Sequence, residues 1–307
     1  MITLLHEMTV LDVARLLKVS WGFIKSIDKN HLEQHYARPR VKDVKYIAID
    51  EFAVEKGHQY MTVVIDFKTG HVLYVGEGRS AETLAPFWRR VKAAGAKIKA
   101  VAMDMWPAYI DSVQRNLPKA SIIFDRFHIV QKLNEHLSNI RRELYRNETE
   151  VNKKAVLKGT RWLLLKKQDN LVNEKKERER LEAALKMNRP LAMAYYLKEE
   201  LSQIWSLSSA EEAKAFLGKW VAKAKATGIK LLDKFANTLL AHRTGIFNWF
   251  DHPISTSPLE GINNKIKVLK RKAYGFRDKA YFKLKIMALH NNPIIKFLVL
   301  PHFLWKC

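Results

Sequence analysis

The chain has 307 residues, with 54 Lys or Arg against 31 Asp or Glu and a formal net charge of +23. That imbalance fits a protein that works on a polyanion, and 48% hydrophobic content is enough for cores in two or three domains, which excludes a disordered basic tail. Its one cysteine, Cys307, excludes a disulfide framework or a cysteine-built zinc site within these residues. Glu7 and Asp12 interrupt any signal-peptide core. Lys296 and Pro301 interrupt the short apolar tail from Ile294 to Trp305, so a soluble, cytoplasmic protein at the nucleoid is expected.

Residues 8 to 31 have the outline of a helix-turn-helix within a DNA-binding segment, 1–42. Thr9 can cap a helix carrying Val10, Val13, Ala14 and Leu17 on one face, and Ser20 can cap a second with Phe23, Ile24 and Ile27 at helical spacing. The second helix, with Lys25, would enter the major groove. An ordinary helical hairpin has the same pattern, and a complete motif adds a third packing helix.

From Val44 the texture changes to strands. YIAID comes first, then YMTVVIDF and HVLYVGEG as a hairpin turning at Lys68-Thr69-Gly70. Ser80 is expected to open a helix through about Ala94 that Gly95 ends, before KIKAVAMD as a strand, Pro107 to Asn116 as a helix and ASIIFD as a strand. Strand, hairpin, helix, strand, helix, strand is the order of a ribonuclease H-like mixed five-stranded α/β sheet. Its first part is expected over 43–135, with an all-helical insertion over 136–249, completion with a basic helix over 250–290, and a tail over 291–307.

Asp50 and Asp104 each end a short apolar run, and catalytic groups of open α/β sheets gather at the carboxyl ends of strands. Adjacent strands lie about 4.8 Å apart, close enough for two carboxylates to share a metal. Glu51 would point to the other face if the strand continues. A third acid, Glu260, opens the basic helix SPLEGINNKIKVLKRK. Clustered carboxylates repel unless a cation compensates, and oxygen ligands suit Mg²⁺ or Mn²⁺. In the alternative reading, Ser257, Pro258 and Glu260 form a capping box. Ile262, Ile266, Leu269 and Ala273 define a core stripe, which leaves Glu260, Asn264, Lys267 and Arg271 on another face.

Lys265, Lys267, Lys270, Arg271, Lys272 and Arg277 are candidate DNA contacts, with Tyr274, Phe276, Tyr281 and Phe282 interleaved either for stacking or for a core. In Asp125-x-x-His128 the acid can orient the imidazole, and a His satisfied in a core is the bland alternative. Trp162 could stack on a flipped base, although Trp at an amphipathic helix position is more often core.

Taken in order, YIAIDEFAVEKGHQY, VAMDMWPAY, FDRFHIVQKLN, LKGTRWLLLK and STSPLEGINNKIKVLKRKAYGFRDKAYFKLKI resemble the motifs of bacterial insertion-sequence transposases of the ISL-three type, which belong to the DDE class. The likeness runs from the helix-turn-helix to about His290. It implies that Asp50, Asp104 and Glu260 are the three metal-binding acids and that Asp125 and His128 match an accessory motif. It also implies a two-metal phosphodiester cleavage and strand-transfer activity on the element's inverted repeats and target DNA, by a homo-oligomer that brings two ends together. The resemblance also implies a cysteine-rich zinc module before the helix-turn-helix, and residues 1–307 begin just before that helix pair. A nuclease or resolvase on the same fold, or a shortened non-catalytic DNA-binding derivative, are the rival readings.

Overall fold

The computed structural model describes residues 1–55, 59–172 and 176–289. The expected tail, 291–307, lies outside the described residues, as do Lys56, Gly57 and His58 of the first motif above and residues 173–175. The chain forms two compact units, one of Met1–Ile122 with Ile254–Cys307 and one of Ile123–Pro253. Among the described residues no helix is long and apolar enough to cross a membrane.

The first unit begins with α1 (Leu4–Glu7), α2 (Val10–Leu16) and α3 (Trp21–Tyr36). Both expected caps form: Thr9 accepts from the Asp12 N–H and Ser20 from the Phe23 N–H, each offering a hydroxyl oxygen to a donor the helix leaves free. Leu5 of α1 joins Val13, Ala14 and Ile24 in a small core, so a short third helix does pack on the pair. This segment is not a free-standing module. Leu32 packs with Tyr281 and Ala288 of the C-terminal region. Asp28, 2% exposed, accepts hydrogen bonds from the Tyr281 hydroxyl and, at 3.0 Å, from Lys285 Nζ, so its buried charge is compensated.

The sheet consists of β1 (Tyr46–Glu55), β2 (Gln59–Asp66), β3 (Val72–Glu77), β4 (Ala100–Met103) and β5 (Ser121–Phe124), in the order β3-β2-β1-β4-β5. β2 is antiparallel to β1 and β3, whereas β1 and β4 are parallel, so the first and fourth strands lie side by side as expected of a ribonuclease H-like sheet. Asp66 shapes the hairpin by accepting from Lys68 N and Thr69 Oγ1, and Gly70 takes the left-handed conformation, φ 71°. β1 runs five residues beyond the apolar run that signals it, because β2 keeps pairing with it past Asp50. The helix expected from Ser80 starts later: a 3₁₀ turn, Glu82–Leu84, leads into α4 (Ala85–Ala93), and α5 (Pro107–Asn116) follows β4.

Paired residues on neighbouring strands share a face. Tyr74 of β3 pairs with Val64 and meets Phe87 of α4, and Thr62 of β2 meets Tyr109 of α5, so α4 and α5 cover one face. α13 (Ser257–Lys272) and α14 (Lys279–Met287) cover the other, where Phe282 packs edge-on against Phe52, ring centroids 6.4 Å apart.

After the last two residues of β5, the regular elements described in the second unit are helices: α6 (Arg126–Asn147), α7 (Val151–Gly159), α8 (Glu177–Met187), α9 (Arg189–Leu201), α10 (Ala210–Ala226), α11 (Lys230–Ala241) and α12 (Arg243–Asp251), a block that begins earlier than the expected residue 136. Trp220, Tyr195 and Phe235 are its largest buried side chains, and the Trp220 indole donates to the Leu197 carbonyl at 2.8 Å.

Candidate active site

Within the first unit, Tyr46, Ile47 and Ala48 of β1 face Ala100, Val101 and Ala102 of β4 in parallel register. Continued for two residues, this register sets Asp50 opposite Asp104 on the face that α13 covers. Glu51 falls on the other face beside Thr62, as alternation requires. The three acids nevertheless crowd one end of the sheet. Burial pushes the Tyr109 phenol well above its ordinary value, and the negative charges of Glu51, Asp104 and Asp50 push it further. Thr62 donates to the Gly78 carbonyl at 2.8 Å, which leaves Tyr109 O–H as the donor in the Thr62–Tyr109 bond, also 2.8 Å.

Asp50 and Asp104 are each held by specific donors. Asp50 Oδ1 accepts from the Glu51 N–H at 2.9 Å, and its Oδ2 accepts from the Asn263 side-chain amide of α13 at 2.9 Å. Asp104 Oδ1 accepts from the Trp106 N–H at 3.0 Å in a tight turn just past β4. Such bonds orient a carboxylate and favour its charged form.

Glu260 is placed differently. It is exposed, and α13 presents Asn263, one turn further along, to Asp50. Among the described residues no three His, Cys, Asp or Glu side chains converge closely enough to hold a metal ion, so Glu260 does not complete such a group with Asp50 and Asp104. Three carboxylates in mutual contact repel, whereas an amide donor beside Asp50 is attractive. The capping box does not form either: Thr256 precedes the helix without a side-chain cap, and Ser257 Oγ pairs with Ser255 Oγ at 2.6 Å. The oxygen-only donor set of Asp50, Asp104 and Glu260 fits a hard divalent cation.

Of the expected core stripe of α13, Ile262 and Ile266 are buried whereas Leu269 and Ala273 are only partly so; Leu259 is buried as well, and Glu260, Asn264, Lys267 and Arg271 are exposed together. Lys265 and Arg277 are exposed as well. Three other candidate cations are tied to the protein itself. Lys270 donates to the Val54 carbonyl, Lys272 to the Glu7 and His6 carbonyls, and Lys25 pairs with Asp278 at 2.9 Å beside the Trp21 ring. Among the aromatics, Tyr281 and Phe282 are buried and Phe276 stacks on Phe282 with centroids 4.6 Å apart; Tyr274 alone is fully exposed, at 98%.

In the second unit, Asp125 caps α6 by accepting from the Phe127 N–H, and its other oxygen lies 3.6 Å from His128 Nδ1, so the acid does face the imidazole. Trp162 is 65% exposed in a turn after α7, not in a helix, and the Arg161 guanidinium lies 4.6 Å over its ring. The turn is anchored by buried Leu163 and Leu164 and by Lys198 Nζ, which donates to the Leu164 and Lys166 carbonyls.

Three residues at the site escape the sequence patterns: Asn263, Trp106 and Arg79. Asn263 sits at i+3 from Glu260, a spacing as valid on a helix as the i+4 of Asn264, so the helical period was the available signal. For Arg79 and Trp106 the pattern offers none, because their partners come from loops distant in sequence.

A mixed five-stranded sheet in ribonuclease H-like order, with Asp50 and Asp104 at the carboxyl ends of adjacent strands, is the architecture that the resemblance to DDE-class enzymes implies. The ISL3-type DDE family model, described as Transposase, matches residues 47–286, and the chain belongs to that family of DNA transposases, which work with divalent metal. It is 39% identical over 288 residues to the transposase for insertion sequence element IS1001 of Bordetella parapertussis, covering 93% of this chain and 70% of that one. It is 28% identical over 318 residues to the transposase for IS1557 of Mycobacterium tuberculosis, covering 92% and 71%. A solved Drosophila P element transposase strand transfer complex matches 80% of this chain and 77% of that chain at a TM-score of 0.38 and 11% identity, a level that decides nothing about the site.

Proposed function

We propose that Asp50, Asp104 and Glu260 hold two Mg²⁺ or Mn²⁺ ions, and that the chain cuts phosphodiester bonds at the ends of an insertion sequence and joins the freed 3′-OH to target DNA. When bound, such ions supply activation of the attacking oxygen and stabilisation of the leaving one in an in-line displacement. The observation that supports this reading is the parallel register of Tyr46–Ala48 with Ala100–Ala102, which, continued for two residues, leads to Asp50 and Asp104. The protein's own part is orientation: the Asn263 amide and the Glu51 N–H fix Asp50, the Trp106 N–H fixes Asp104, and α13 carries Glu260 one turn from the Asn263 contact.

The exposed cations Lys265, Lys267, Arg271 and Arg277 bind the phosphate backbone next to that site, which positions duplex without reading sequence. His128, oriented by Asp125, contacts a scissile phosphate, and Trp162, exposed on its anchored turn, stacks on a base. A homo-oligomer on DNA joins the two ends, and the terminal inverted repeats and the target are its duplex partners. Asp50→Asn and Asp104→Asn are expected to bind DNA as well as the native chain or better, and to lose metal-dependent nicking and strand transfer. Nicking at the native rate in either variant, or undiminished activity in excess chelator, overturns the assignment.

A further inference from the structure

Arg79 follows β3 in a loop that the sheet holds rigidly. The Gly78 N–H donates to the Tyr60 carbonyl and the Gly78 carbonyl accepts from Thr62, both at 2.8 Å, while Gly78 adopts φ 90°, a conformation that side chains resist. From this platform the Arg79 guanidinium meets two aromatic rings, its Cζ 4.2 Å from the Tyr60 centroid and 4.5 Å from that of Trp106, with Glu51 Oε1 3.5 Å from its Nη1. The same residue grips Trp106 a second time, because its carbonyl accepts from the indole Nε1–H at 2.9 Å. Face and edge of one indole are therefore both held by Arg79. Trp106 in turn gives its backbone N–H to Asp104 Oδ1.

We propose that Arg79 is a positioning residue for Asp104: clamping Trp106 fixes the N–H that takes Oδ1 and so aims Oδ2 at the metal. The inference rests on the reading of Asp104 as a metal ligand. A guanidinium offers a planar face to aromatic rings while its N–H edge reaches a carboxylate, a combination that the point-charge ammonium of lysine does not reproduce. Partners that orient metal ligands typically contribute ten- to a hundredfold in metal affinity.

The test uses the full chain and Mn²⁺ alone as the probe. Arg79→Lys removes the planar stack, and Trp106→Phe keeps a ring but removes the donor to the Arg79 carbonyl. Calorimetric Mn²⁺ affinity without DNA is expected to fall by roughly ten- to a hundredfold in both. Nicking should recover at correspondingly raised Mn²⁺, and duplex affinity should not change. Native Mn²⁺ affinity in Trp106→Phe overturns the clamp, and so does an Arg79→Lys chain that melts lower yet binds Mn²⁺ as the native chain does. Asp104→Asn separates the two levels of the argument. If it binds Mn²⁺ as the native chain does, the reading of Asp104 fails; if it loses Mn²⁺ while the other two variants keep it, only the clamp fails.

Discussion

The cations of α13 divide into two classes that a salt titration can separate. Lys267 and Arg271 are exposed one helical turn apart, and among the described residues neither side chain has an ion pair or hydrogen bond within the protein. Lys270 and Lys272, on the same helix, are spent on the carbonyls of Val54 and of Glu7 and His6. Each cation that neutralises a phosphate on duplex DNA contributes about 0.9 to the slope of log affinity against log salt. Lys267→Ala with Arg271→Ala should therefore flatten the slope by about 1.8. Lys270→Ala with Lys272→Ala should leave it unchanged and instead cost roughly 1–3 kcal/mol of stability, chiefly because the carbonyl of buried Val54 loses a charged donor. The assay is fluorescence anisotropy on a labelled duplex from about 50 to about 200 mM KCl, with thermal melts of the same samples. Equal slope changes in the two double variants, or a larger one in the Lys270/Lys272 pair, would refute the assignment of these side chains.

Two further expectations concern each compact unit by itself. The Asp278 carboxyl is held well below the ordinary carboxylate range, first by the Tyr281 N–H it caps and then by Lys25 and Lys29. A depressed folded-state value stabilises above the unfolded carboxylate pKa of about 3.9, and that stabilisation is lost as pH falls below it. The melting temperature of Asp278→Asn should thus lie below that of the native chain at about pH 6 and converge with it towards about pH 2; a constant gap would contradict this. In the second unit, a methyl added at Gly245 would lie 2.4 Å from the Phe124 ring, so Gly245→Ala should cost about 1–3 kcal/mol by overpacking; a denaturant titration showing no loss would mean the ring moves freely.

The strand order and the helix caps at Thr9 and Ser20 were legible because they depend on local alternation and on oxygen acceptors at helix starts. Asp50 and Asp104 were legible for the same reason, each ending an apolar run, although β1 extends to Glu55 through pairing with β2 that no single strand reveals. What stayed hidden depends on long-range partners. Lys25 resembles a groove-facing cation until Asp278, 253 residues later, is seen to hold it. The Arg79–Trp106–Asp104 chain joins two loops, and neither loop has a periodicity to announce it. Trp162 was expected on an amphipathic helix, but the turn after α7 exposes it while Leu163 and Leu164 take the buried places.

The most direct test of the metal-held acidic site is Glu260→Gln. Glu260 is exposed and α13 has no side-chain cap, so the exchange should change stability by no more than about 0.5 kcal/mol. A neutral amide is a poor ligand for a divalent cation, so nicking and strand transfer on DNA carrying the element ends, measured in Mg²⁺ and in Mn²⁺, should be nearly abolished while duplex binding persists. A Glu260→Gln protein that binds, melts and cuts like the native chain would contradict the account and move the third ligand to another side chain.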